Sequence, residues 1–127
     1  MNLEKVVFGF FILLALTLNF GFFIGEFDNP AHHNVFELYA ALVVSLIATV
    51  LKFGERTQIG AILLAASLVA DLQLITAAVV WGMSMHVTGV GLTPAVMGSI
   101  VSLSGGALMA NLASVTILVI ETVNMQR

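Results

Sequence analysis

The sequence predicts an all-α polytopic membrane protein of four transmembrane helices, arranged as two helical hairpins with both termini cytoplasmic. Three observations carry this reading. Of the 127 residues, 60% are hydrophobic and 9% are charged, with a mean hydropathy of +1.10. A soluble domain carries about 25% charged residues, so this chain cannot cover a water-facing surface. Four apolar stretches each approach or exceed the ~20 residues that cross a bilayer as a helix. The four Lys and Arg residues all fall where an even number of spans puts them on one side.

The first span is predicted from about Val6 to Ile24. Only one cation, Lys5, precedes it, and the apolar run covers about 19 residues, more than the ~7–15 of a signal-peptide core. No small-x-small cleavage site follows before Gly25, so the segment reads as a retained helix. Gly25-Glu26-Phe27-Asp28-Asn29-Pro30 is a polar turn. The second span runs from Pro30 or Asn34 to Leu51. Asn29 can cap a helix that opens on Pro30, and Asn34 with Glu37 forms an alternative capping box. A tight connection, Lys52 to Thr57, ends in a candidate N-cap, Thr57. The third span covers Gln58 to about Met85. Thr88-Gly89-Val90-Gly91 breaks it, and Thr93-Pro94 opens the fourth, which reaches about Val123. The last two spans exceed the minimum length, so they tilt or project beyond the hydrocarbon. Residues 1–127 form one domain in this reading.

Orientation follows from the basic residues. Lys5, Lys52, Arg56 and Arg127 share one side, and the two opposite loops contain neither Lys nor Arg. The positive-inside rule puts that side in the cytoplasm. Tyr39 and Trp81, each the only one of its type, fall near the outer interface, where aromatic belts form. The expected location is a bacterial inner (plasma) membrane, with membrane lipid as the surrounding partner.

Composition also excludes functions. Cysteine is absent, so disulfides and thiolate metal sites are ruled out. Four basic residues give no nucleic-acid footprint. The loops leave no room for a soluble catalytic domain. No phosphate-binding glycine loop, Ser/His/Asp set or zinc-protease His pair occurs, and all three histidines, His32, His33 and His86, fall on the outer side, leaving none inside the bilayer to hold haem. The chain is therefore not expected to be an enzyme or to carry a cofactor.

The most informative residue is Asp71, near the middle of the long apolar stretch Ile59–Met85, with no Lys, Arg or His at that depth. An ionisable group at mid-bilayer is costly and points to function. At 100° per residue, Gly60, Ser67, Ala78 and Gly82 lie within about 40° of Asp71, forming a small and polar stripe. Gln73 points the other way. In an isolated bundle one of the two would face lipid, which argues for a homo-oligomer. Candidate members of an ion path are Asp71, Ser67, Asn19, Asn111 and Gln73. Lys52 and Arg56 lie at the cytoplasmic end, and Asp71 is about 20 Å up the third span from there, too far to pair with them directly. The neutral polar residues at roughly compatible depth are Asn19, Asn111, Thr49 and Ser67. Asp71 is then either a neutral acid bonded to Asn111 or Asn19, or a carboxylate that meets a cation or a water-filled cavity and so handles cations or protons.

Other polar patterns are less specific. Gly98, Ser102, Gly106, Ala110 and Ser114 form a small-residue stripe in the fourth span, suited to helix packing, with Ser104-Gly105-Gly106 as a candidate unwound point. Asn34, Ala41, Ser45, Thr49 and Lys52 share one face of the second span. Glu26, Asp28 and Glu37 would form an acidic outer vestibule that concentrates cations. His33 and His86, on the same side, are candidate metal ligands. Together these features predict an oligomeric cation channel or proton-conducting protein that uses an intramembrane carboxylate. The alternative is a non-conducting accessory or scaffold subunit of a membrane complex.

Overall fold

The computed structural model describes residues 3–24, 35–53 and 58–125. It is all-helical. Helix α1 spans Leu3–Phe23, α2 spans Val35–Lys52, α3 spans Gln58–Gly82 and α4 spans Pro94–Met125, with a π-helical turn, Met83–Val87, extending α3. All four helices are long and apolar enough to cross a membrane. The two ends of α3 and α4 lie close to the predicted positions. Helix α1 starts earlier than predicted, at Leu3, so that Glu4 and Lys5 lie in its first turn.

The junction between α3 and α4 shows how local chemistry sets the ends. The Thr88 N–H bonds to the Met83 carbonyl at 2.9 Å, a π-type closure. Gly89 and Gly91 then take φ values of 71° and 79°, the left-handed region that glycine enters without steric cost. Pro94 opens α4, where its missing N–H costs nothing. The Thr93 hydroxyl accepts from the Val96 N–H at 3.2 Å, which makes Thr93 the N-cap.

Each helix packs against two neighbours: α1 against α2 and α4, and α3 against α2 and α4. Named contacts show that neighbours run antiparallel. Lys5 meets Glu121 at 3.5 Å while Ser104 meets Asn19, so α1 and α4 are opposed. The Tyr39 hydroxyl donates to the Ala78 carbonyl at 3.1 Å, and Thr49 reaches Asp71, so α2 and α3 are opposed. The Lys5–Glu121 pair therefore marks one end of the bundle, and Tyr39 with Trp81 lies toward the other.

The distribution of side chains inverts that of a water-soluble bundle. Phe10, Phe20, Phe36, Leu72 and Met109 are exposed on its outer surface, while Asn19, Ser45, Ser67, Asp71, Ser104, Asn111 and Ser114 are buried. In lipid, apolar side chains gain nothing by leaving the surface, and polar groups hold helices together. The apolar core is split accordingly. One cluster is centred on Phe22, Leu38, Leu74, Met97 and Ile100, and a second on Phe8, Ile12, Ala48 and Leu63. The first lies toward the Tyr39 end, the second toward the Lys5 end. Asn19, Ser45, Ser67, Asn111 and Ser114 lie between them along their helices, while Asp71 and Thr49 sit at the inner edges of the clusters, next to Ala70 and Ala48.

Candidate functional site

Asp71 lies at the α2–α3 interface and is 5% exposed. Two hydroxyls from successive turns of α2 hold it. Ser45 Oγ–H donates to Asp71 Oδ1 at 2.7 Å, and Thr49 Oγ1 lies 2.5 Å from Oδ2. Thr49 Oγ1 also lies 2.9 Å from the Ser45 carbonyl oxygen, the usual back-bond of a helical threonine. The i, i+4 spacing of Ser45 and Thr49 puts both hydroxyls on one side of α2. Asp71 thus bonds to neither Asn19 nor Asn111. The polar face of the second span was visible in the sequence, but its role as the aspartate's cradle was not. Ser45 is absent from the predicted ion path altogether.

The argument that no cation comes near Asp71 also changes. Measured along α3, Lys52 is remote. Across the interface, Thr49 sits at the level of Asp71, and Lys52 is one turn further along α2, a rise of about 4.5 Å. Lys52 is itself buried, with Nζ 4.4 Å from the centroid of the Phe8 ring on α1. A cation over an aromatic face is favourable, more so when desolvated. The bundle ends at different heights because α3 continues toward its N-terminus past the last turn of α2.

Gln73 does not face lipid. It is half-buried, and its carboxamide lies against the backbone of Gly106 on α4, where a Cβ would collide with it. Asp71 faces α2 and Gln73 faces α4, so one chain accommodates both. The reason for expecting self-association from these two residues is thereby removed. Helix α4 is continuous through Ser104-Gly105-Gly106; these glycines serve close packing, Gly105 against Phe23 and Gly106 against Gln73. The buried stripe of α4 is Met97, Ile100, Val101, Ser104, Ala107, Asn111 and Ser114, whereas Ser102 of the predicted small-residue stripe is exposed.

The other predicted path residues are interior. Asn19 Oδ1 accepts from the Ser104 hydroxyl at 2.5 Å. Asn19 Nδ2, Ser67 Oγ, Gln73 Oε1, both side-chain polar atoms of Asn111 and Ser114 Oγ are buried with no hydrogen-bond partner among the described residues. The Gln73–Gly106 contact fixes the register of α3 on α4 and brings Ser67 to about the level of Asn111. From Ser104 to Ser114 the polar layer is about 15 Å deep along α4, half of a ~30 Å hydrocarbon core. Unpaired buried polar groups each cost several kcal/mol in a membrane. A small polar guest with both donors and acceptors would relieve them.

The outer features fare differently. Glu37 is half-buried, and its carboxylate lies over Gly21 of α1, so it packs into the bundle rather than lining an open mouth. His86 is exposed in the π turn. Glu26, Asp28 and His33 lie outside the described residues, as do both candidate caps of α2, Asn29 and Asn34, and Thr57. Among the described residues no three His, Asp or Glu side chains converge as a metal site.

No curated protein and no solved structure matches this chain. Residues 32–122 match DUF6394, a family of unknown function, over a stretch that holds Ser45, Thr49 and Asp71 together but omits α1, and the chain belongs to that family.

Proposed function

We propose that this protein carries protons or small cations across a membrane, with Asp71 as the binding group inside the four-helix bundle. One observation carries the reading: a carboxyl group held at mid-helix beside buried polar atoms that find no partner among the described residues, with an apolar cluster toward each end of the bundle. Such atoms are costly unless a polar guest reaches them. The two clusters then act as barriers that must open in turn, and the carboxyl group is the natural stopping point between them. Both termini are cytoplasmic in this reading, by the distribution of basic residues. The pathway lies inside each subunit, so a homo-oligomer would repeat it rather than create it.

A second reading is favoured by a different detail. Both oxygens of Asp71 are engaged by α2 hydroxyls, as suits a non-conducting scaffold subunit in which the aspartate locks α2 to α3. Flux into liposomes separates the two. Transport predicts proton or alkali-cation uptake by wild type that Asp71→Asn abolishes while the protein stays folded. Uptake equal to that of empty liposomes, across several cations and pH values, overturns transport and leaves the scaffold.

A further inference from the structure

We infer that the ion held at Asp71 is a proton, and that the residue rests as a neutral acid in a closed ring of three hydrogen bonds with Ser45 and Thr49. The inference rests on the transport reading only in naming the cargo; the proton site itself follows from counting hydrogens. Three short O···O contacts make the ring: Ser45 Oγ to Asp71 Oδ1 at 2.7 Å, Asp71 Oδ2 to Thr49 Oγ1 at 2.5 Å, and Thr49 Oγ1 to the Ser45 carbonyl at 2.9 Å. Each contact is at O–H···O hydrogen-bond length, and three such bonds at full strength need three hydrogens.

The two hydroxyls supply one hydrogen each, and the carbonyl supplies none. Ser45 spends its hydrogen on Oδ1. If Thr49 donates to Oδ2, its contact with the carbonyl is empty. If it donates to the carbonyl, its contact with Oδ2 sets lone pair against lone pair. A hydrogen on Oδ2 completes the count: Oδ2–H donates to Thr49 Oγ1, Thr49 donates to the Ser45 carbonyl, and Ser45 donates to Oδ1. Charge-free closure also suits a site that is 5% exposed, where an unpaired ion is expensive.

A metal cation fits the same atoms poorly. Hard cations such as calcium take about six to eight oxygens with lone pairs turned inward. Here both carboxyl oxygens are already occupied by hydroxyls, and among the described residues no three His, Asp or Glu side chains gather as a metal site. Release of the proton to a water molecule admitted to the polar layer leaves the bonding pair on Oδ2 as carboxylate. Two hydroxyl hydrogens must then serve three acceptors. The ring that ties α2 to α3 loses a bond, so proton occupancy and the α2–α3 contact are coupled.

The site's rival is ionised Asp71 balanced by Lys52, one turn from Thr49. Infrared difference spectroscopy on the full chain in lipid bilayers at neutral pH decides between them. Wild type minus Asp71→Asn is expected to show the carbonyl stretch of a protonated carboxylic acid, and Thr49→Val is expected to shift that band by removing its acceptor. Carboxylate bands in place of the acid band overturn the inference. Should Asp71→Asn fail to fold, wild type minus Thr49→Val serves alone: a shifted acid band supports the site, and a difference confined to the carboxylate region overturns it. An acid band without liposome flux sinks the transport reading and spares the proton site. Sodium uptake with no acid band does the reverse.

Discussion

Thr49→Val tests the cradle directly, because valine keeps the shape of threonine and deletes its hydroxyl. In wild type that hydroxyl sits 2.5 Å from Asp71 Oδ2, across an interface where Thr49 and Asp71 are 4% and 5% exposed. Its loss strands one carboxyl oxygen away from water. A stranded buried group costs about 1–3 kcal/mol in general, while interhelical hydrogen bonds measured in a membrane protein average about 0.6 and reach about 1.7 kcal/mol. The burial here argues for the upper part of the membrane range, so we expect about 1–2 kcal/mol. The local bond to the Ser45 carbonyl adds little, since a helical threonine back-bond is close to neutral or slightly destabilising. In an Asp71→Leu background only that local bond is left to lose, and Thr49→Val should then be nearly silent. Equilibrium unfolding of the four proteins in mixed detergent gives the coupling energy as a double-mutant cycle. Additivity within about 0.3–0.5 kcal/mol, the behaviour of independent sites, would refute the cradle.

The remaining predictions address the packing around the site. Phe8→Ala should cost about 3–5 kcal/mol, because the ring is 1% exposed and lies beneath the Lys52 ammonium; thermal unfolding in detergent measures it, and a loss below about 1 kcal/mol contradicts the second apolar cluster as drawn. Gly105→Ala places a Cβ 2.8 Å from Phe23 Cε1 and should destabilise by about 1–3 kcal/mol through overpacking. The same substitution should be largely tolerated with Phe23→Leu, and equal losses in both backgrounds would disprove that contact. Lys5→Met should change stability by less than about 1 kcal/mol, since its 3.5 Å pair with Glu121 is partly exposed and such pairs contribute little; a larger loss, persisting at high salt, would show the pair to be shielded from solvent.

Particular residues show how far the sequence could be read. Four spans were legible because a bilayer demands length and apolarity, which are properties of a segment by itself. Thr93-Pro94 and the Gly89/Gly91 break were legible because capping and positive φ are local. Asp71 stood out for the same reason: a carboxyl in an apolar run is anomalous whatever its neighbours are. Its partners were legible only in part: Thr49 is at a compatible depth, but nothing local singles it out over Asn19 and Asn111 or adds Ser45. The faces of α2 and α3 could be drawn, but which residue of one lies opposite which residue of the other depends on the axial offset of two helices, and no local rule sets that offset. Gln73 was misread because angle around a helix axis says only that two side chains diverge, and in a bundle both directions can be interior. The sequence alone thus determined that this chain is built of four membrane-crossing lengths of helix with one acid deep in the third. Tertiary packing alone decided that Ser45 and Thr49 hold that acid, that Lys52 lies a turn beyond Thr49, and that Gln73 packs on α4, because helix register and rotation are fixed by long-range fit between surfaces.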